Sequence, residues 1–219
     1  MKPSAAMCVR DLLSFFTIFP TRGRGLGFQC LWALPYLVAP VVGGVGAIVY
    51  IATGDTRLAY LALLLATGLN HIDGLADAAD ALMVRDRAKA RAVLEDPHRG
   101  AAAIFAVVVA VVLGMSAHVG SWLDYIAAEM FSKSLAVVAA GFSKPFKPGL
   151  GADFAKNARR QWPAVIPAMA VAVYLRPITA AIALAVSLLF YIAAYRHLGG
   201  MNGDLLGALL EISRVAYLY

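Results

Sequence analysis

The chain has 219 residues, of which 61% are hydrophobic and only 15% charged, whereas soluble domains carry about 25% charged residues. That composition excludes an ordinary soluble globular domain and points to a polytopic membrane protein. The formal net charge of +6 does not make a nucleic-acid binder of it, because the basic residues are spread between apolar spans, as the positive-inside rule demands.

In chain order, the first thirty residues carry Lys2, Arg10, Arg22 and Arg24 around a short apolar patch, DLLSFFTIFP. Polar sequence follows it and no small-residue cleavage site is visible. Residues 1–30 therefore read as a cytoplasmic, interfacial or re-entrant element rather than a signal peptide. Cys8 and Cys30 are too few and too unpatterned for a disulfide framework or a zinc site, and read as small apolar fillers.

A spanning helix needs about 20 mostly apolar residues. That rule marks about seven spans, within a range of five to eight, at 31–51, 58–83, 101–119, 122–143, 162–175, 177–195 and 205–219. The expected fold class is all-α: a polytopic helical bundle forming one integral membrane domain over 1–219. No internal repeat, low-complexity tract or soluble domain interrupts it.

The basic residues alternate loop by loop. The N-terminal segment holds four, the loop 84–100 holds Arg85, Arg87, Lys89, Arg91 and Arg99, the loop 144–161 holds Lys144, Lys147, Lys156, Arg159 and Arg160, and Arg196 follows the sixth span. The opposite side keeps Arg57 and Arg176. The bias predicts a multi-pass protein of the cell's inner membrane with the N-terminus and these loops in the cytoplasm. Any chemistry then belongs to the helices and their cytoplasmic ends.

The second span ends in NHIDGLADAAD. Asp73, Asp77 and Asp80 stand at i, i+4 and i+7, which places three carboxylates on one helical face. Uncompensated, they repel one another and are costly beside lipid. A divalent cation relieves both penalties, and Mg²⁺ is commonly held by a few carboxylates completed by water and phosphate oxygens. A solvated acidic helix end and a proton or cation path are the competing readings. Gly74 and Ala76 allow close approach of a backbone or ligand, and His71 is a candidate ligand or phosphate donor.

Further along, Asp96, His98 and Arg99 stand directly before the third span, in reach of a metal and an anionic ligand. Glu129 and Lys133 have the i, i+4 spacing of a helical ion pair, with phosphate contact by Lys133 as the alternative. The loop GFSKPFKPGLGADF could cover a phosphorylated substrate or be a plain basic loop. In the last span Asp204 and Glu211 share a face at i and i+7. Asp204 suits dipole compensation in a first turn, whereas Glu211 lies two turns deeper and points to a part in the polar site.

These pieces, in this order, resemble the cobalamin synthase family, the adenosylcobinamide-GDP ribazoletransferases, from about Phe15 to Glu211. The most specific element is met by His71, Asp73, Gly74, Ala76, Asp77 and Asp80. FFTIFPT, RAKARAVLEDPHRG, Ser132 with Lys133, GLGADF and GGMNGDLLGALLE support it. The chain departs from the family pattern at His98 and Lys133, where arginine is usual, and at Ala101–Ala103, where glycine is. The resemblance implies a phosphotransferase of the late nucleotide-loop assembly step of adenosylcobalamin (vitamin B12) biosynthesis. It joins adenosylcobinamide-GDP to α-ribazole or its 5'-phosphate and releases GMP, with Mg²⁺ as cofactor. On that reading Asp73, Asp77 and Asp80 hold the metal, and Asp80 or Asp96 orients the ribazole hydroxyl. His71, His98, Arg99, Lys133, Asp204 and Glu211 bind substrate. Homo-oligomers and association with other late cobalamin-pathway enzymes are compatible with it.

Three rivals differ in what they require. A CDP-alcohol phosphotransferase needs an arginine soon after its Asp-Gly element, where this chain has Ala76 and Asp77. An intramembrane prenyltransferase needs a second Asp-rich motif, and Asp204 with Glu211 makes a poor one. A cation-coupled transporter needs broken helices in repeated halves.

Overall fold

A computed structural model describes residues 4–219 except 22 and 24, so the topological reading of Lys2, Arg22 and Arg24 lies outside the described residues. The described chain is helical, as expected, with one isolated bridge between Pro145 and Met201. Ten α-helices follow in order: α1 (Ala5–Phe16), α2 (Ala39–Thr53), α3 (Thr56–Ala66), α4 (Asn70–Leu82), α5 (Arg87–Val93), α6 (Ala101–Met115), α7 (Leu123–Phe142), α8 (Leu150–Leu175), α9 (Pro177–Leu198) and α10 (Gly203–Leu218). A 3₁₀ segment, Phe28–Ala33, and a π-helical turn, Leu34–Val38, lead into α2.

Among the described residues, three segments are long and apolar enough to cross a membrane by length and composition: Phe28–Thr53, α7 and α9. The bent pair α3 and α4 makes a fourth if it counts as one span. The count of seven is loose, for local reasons. Segment 58–83 is broken at Thr67–Leu69, where Gly68 and Leu69 both take left-handed backbone (φ 65° and 62°) and the two helices meet at 87°. A leucine there is strained, since its Cβ crowds the backbone. Segment 162–175 is only the second half of α8, a 26-residue helix that runs on through Pro163 and Pro167. The stretch 144–161 is accordingly helical from Leu150 onward rather than loop throughout. The third span shrinks to the 15 residues of α6 and the last to the 16 of α10.

α7 is the central helix: most of its side chains are buried, including Glu129 and Lys133. α10 packs on it and carries twelve buried residues. The periphery is apolar and exposed, with Ile48, Phe105, Ile178 and Leu189 all more than half exposed, a surface that suits lipid and not water.

Contacts sort the chain into two ends. At one, Arg87 donates to the carbonyls of His197 and Arg196, and Arg91 to those of Leu198 and Gly199, so α5 caps the C-terminus of α9. Lys147 pairs with Glu95 at the same end. At the other, Arg176 donates to the carbonyls of His118 and Leu218. Arginines that the sequence assigns to topology thus also satisfy carbonyls at helix C-termini, those of Arg196, His197, Leu198 and Leu218. Cys8 and Cys30, expected as separate fillers, form a disulfide that ties α1 to the 3₁₀ segment.

Candidate active site

The 87° break turns α4 so that its acidic face meets the segment entering α6. Arg99 donates from Nη2 to Asp73 Oδ1 at 2.6 Å, and its Nη1 lies 2.5 Å from Asp77 Oδ1. The i, i+4 pair therefore closes on one guanidinium. Asp80, one turn on, faces the same segment but meets backbone: its Oδ2 accepts from Gly100 N–H at 2.6 Å and its Oδ1 from Ala103 N–H at 2.9 Å. Asp80 is thus the N-terminal cap of α6, supplied from another helix. A Cβ on Gly100 would stand 2.7 Å from Asp80 Oδ1, so a larger residue there would push the capping carboxylate aside.

The other side of α4 packs on α10. A Cβ on Gly74 would lie 2.7 Å from the carbonyl oxygen of Asp204 and 3.1 Å from the Cα of Gly207. Two glycines facing each other let the backbones touch, which brings Asp204 into electrostatic reach of Asp73 and Asp77. Asn202 caps α10 through Leu205 N–H and donates to Asp204 Oδ2 at 2.7 Å. The loop before α8 lies over this corner, held by backbone bonds between Met201 and both Lys144 and Phe146. Gly151 approaches closely enough that a Cβ would reach Gly203 N at 2.7 Å.

Asp73 lines two cavities. One, of 380 Å³, runs between α4 and α6 with Arg99 at its edge and Ile104, Val107 and Val108 along it. The other, of 330 Å³, has Phe15, Phe16, Phe28 and Phe154 as its aromatic wall. Asn70, His71, Asp73 and Asp204 supply its polar edge. A third space of 300 Å³ adjoins at Leu150, Gly151, Gly203 and Asp204 and reaches Lys147.

Beneath His71 lies a closed set of buried charges. Arg214 Nη2 donates to His71 Nδ1 at 2.7 Å and stands 2.7 Å from Glu211 Oε2, and its Nε is 3.1 Å from Glu129 Oε1. Tyr60 donates to Glu211 Oε1 at 2.6 Å, and Lys133 binds Glu129. Two carboxylates face two cations with both members of each pair fully buried, the arrangement in which such charges are tolerated.

Several expectations are corrected by placement. Lys133, read either as the ion-pair partner of Glu129 or as a phosphate contact, is 0% exposed and paired with Glu129. Glu211 reaches the site only through Arg214 and His71. Asp80, expected as ligand or base, has both oxygens on backbone donors. Asp96 and His98 are exposed, bonded to one another at 2.7 Å, and the His98 backbone N–H followed by its ring holds the Asp96 carboxyl below the usual carboxylate range. That makes Asp96 a weak base. No group of three or more His, Cys, Asp or Glu among the described residues is arranged to hold a metal ion, and Arg99 lies against both Asp73 and Asp77. Sequence reading missed Arg214, Tyr60 and the part played by the four phenylalanines. An ionisable residue in an apolar helix was the available signal for Arg214.

A family model described as cobalamin-5-phosphate synthase matches residues 9–219. Three relatives, each named adenosylcobinamide-GDP ribazoletransferase, illustrate the range. The one from Pyrobaculum islandicum is 58% identical over 211 residues, covering 96% of this chain and 93% of its own. That from Pyrobaculum calidifontis is 57% identical over 211 residues, covering 96% and 97%. That from Pyrococcus abyssi is 34% identical over 228 residues, covering 96% and 95%. No solved structure matches the chain.

Proposed function

The chain belongs to the cobalamin-5-phosphate synthase family, and from that premise we propose that it is a membrane enzyme transferring the cobinamide phosphoryl group of adenosylcobinamide-GDP to α-ribazole or its 5'-phosphate, with release of GMP. The observation that carries the reading is the position of Asp73, on the boundary between two cavities and beside Arg99 and Asp204. A two-substrate transfer needs such a boundary.

In the reaction a ribose hydroxyl oxygen of the acceptor forms a bond to the cobinamide-side phosphorus. The bridging phosphorus–oxygen bond breaks, and its oxygen leaves on GMP. The hydroxyl proton passes to a carboxylate at the cavity edge, and we place that role on Asp204. It lines the cavity, whereas Asp80 is occupied by backbone donors. Arg99 is positioned to move from the two aspartates onto the diphosphate, where a guanidinium pairs with phosphate oxygens in bidentate fashion.

Mg²⁺ is usually bound by one or two carboxylates together with substrate phosphates, so it needs no third protein ligand here. Asp73 and Asp77 offer hard carboxylate oxygens that already converge on one cation, the Arg99 guanidinium. These two are the residues that would hold it, while Asp204, in electrostatic reach of both, keeps the role of proton acceptor. When bound, the ion would neutralise charge building on the diphosphate oxygens as GMP leaves.

We also place this end of the bundle in the cytoplasm of the cell membrane, with the Arg57 and Arg176 end outside. The support is that the basic segments 84–100 and 144–149 and Arg196 gather at the first end. The test of the function is direct. Purified protein in liposomes, given adenosylcobinamide-GDP, α-ribazole and Mg²⁺, forms GMP and the cobalamin product in equal amounts. Folded protein that releases no GMP contradicts the assignment.

A further inference from the structure

The transfer needs the acceptor base to be held somewhere, and we propose that the 330 Å³ aromatic cavity is that subsite. It takes the flat bicyclic base of α-ribazole among Phe15, Phe16, Phe28 and Phe154, with the ribose turned to Asp73 and Asp204. The inference rests on the transfer reaction proposed above and says which substrate lies on which side of Asp73.

Three observations carry it. The first is chemical. The cavity wall is built of rings in edge contact, Phe15 with Phe28 at 5.3 Å and 85° and Phe28 with Phe154 at 5.3 Å and 75°. Phe16 stands 6.4 Å from Phe154 and 6.5 Å from the His71 ring. Such a wall offers both faces and edges to a planar aromatic guest, and the same cavity is lined by Asp73 and Asp204, which lie in electrostatic reach of one another and could face a sugar. The second is size. A volume of 330 Å³ accommodates a bicyclic nucleoside but not a corrinoid, which is several times larger. The corrinoid substrate therefore lies outside this cavity, and its diphosphate belongs on the Arg99 side of Asp73.

The third concerns His71. An arginine can only donate, so His71 Nδ1, 2.7 Å from Arg214 Nη2, must be the acceptor, and the ring carries its proton on Nε2. Arg214 is fully buried and is itself fixed by Glu129 and Glu211. On this proposal Nε2 is the donor offered to a ribose oxygen or the 5'-phosphate from the cavity wall that His71 lines. Arg214 is the positioning residue behind it.

The test uses the whole protein in liposomes and measures KM for each substrate with the other saturating. Phe154→Leu and Phe28→Leu are expected to raise KM for α-ribazole about tenfold, by loss of ring contacts, while KM for adenosylcobinamide-GDP stays within about twofold. A rise confined to the adenosylcobinamide-GDP constant, or no rise in either, overturns the subsite. His71→Gln returns an amide near the Nε2 position, whereas His71→Asn satisfies Arg214 alone, so Gln is expected to keep the lower KM for α-ribazole and the reverse order counts against the donor role. Should the variants not accumulate, an azidobenzimidazole riboside applied to the wild-type protein is expected to label residues 15–28 or 150–154. Labelling confined elsewhere overturns the proposal. Wild-type protein without turnover contradicts the transfer reaction itself; turnover with the label elsewhere contradicts the subsite alone.

Discussion

Arg214 and His71, 143 residues apart in the chain, meet at 2.7 Å between α10 and α4. The contact joins the helix that carries the candidate metal ligands to the charge network of the core, so the orientation of α4 depends on a residue that touches no substrate.

That dependence predicts an unequal pair of substitutions. Arg214→Met leaves Glu129 and Glu211 without their shared partner. An unpaired buried charge costs about 3–5 kcal/mol, so a lowering of the melting temperature in detergent by many degrees is expected. Lys133→Met leaves Glu129 still facing Arg214 and is expected to cost less. Equal losses in the two variants would mean that Arg214 does not organise the network.

Asp80 and Asp96 are expected to matter far less for turnover than their place in the motifs suggests. Asp80→Ala removes the cap of α6, worth about 1 kcal/mol, and shows in thermal unfolding. GMP release by Asp80→Asn and Asp96→Asn is expected to stay within about tenfold of wild type. A loss near that of an essential general base, about 10²–10⁴-fold, in either variant would place the base there.

Arg99 competes with any other cation for Asp73 and Asp77 and also stands ready for phosphate. Arg99→Gln is therefore expected to lower the Mg²⁺ concentration giving half-maximal rate while lowering kcat, by about tenfold or more for a lost charge-assisted contact. A titration of rate against Mg²⁺ reads both. If the half-maximal concentration rises, Arg99 supports the ion instead of competing with it.

The assignment of the two ends to opposite faces of the membrane is open to single-cysteine labelling in a background lacking Cys8 and Cys30. Arg85→Cys is expected to react only after permeabilisation of intact cells and Asp55→Cys without it. Reaction of both under one condition contradicts the topology.

Much of this was legible in the chain, and what was not has physical causes. The 3.6-residue period puts Asp73, Asp77 and Asp80 on one face, and all three do address the segment Arg99–Ala103. The i, i+4 pairing of Glu129 and Lys133 is local and equally readable. What periodicity cannot show is what comes from elsewhere in the chain. It does not reveal that Asp80 faces a helix start, or that Lys133 lies in a closed network completed by Arg214 from ISRVAYLY. Hydropathy also leaves span boundaries loose, because TGL at 67–69 differs little from its surroundings yet breaks a helix by 87°. FFTIFP reads as an apolar patch, and only packing against Phe28 and Phe154 turns two of its rings into a cavity wall.

The central claim, that Asp73 and Asp77 hold the cation for phosphoryl transfer, is tested most directly by Mg²⁺-dependent GMP release from adenosylcobinamide-GDP. Wild type, Asp73→Asn and Asp77→Asn are compared at equal amounts of folded, membrane-inserted protein. The account predicts a fall of about a hundredfold or more in each variant, the scale of losing a charge-stabilising group at a transition state. Near-normal, Mg²⁺-dependent release by both variants would contradict it and move the metal site elsewhere.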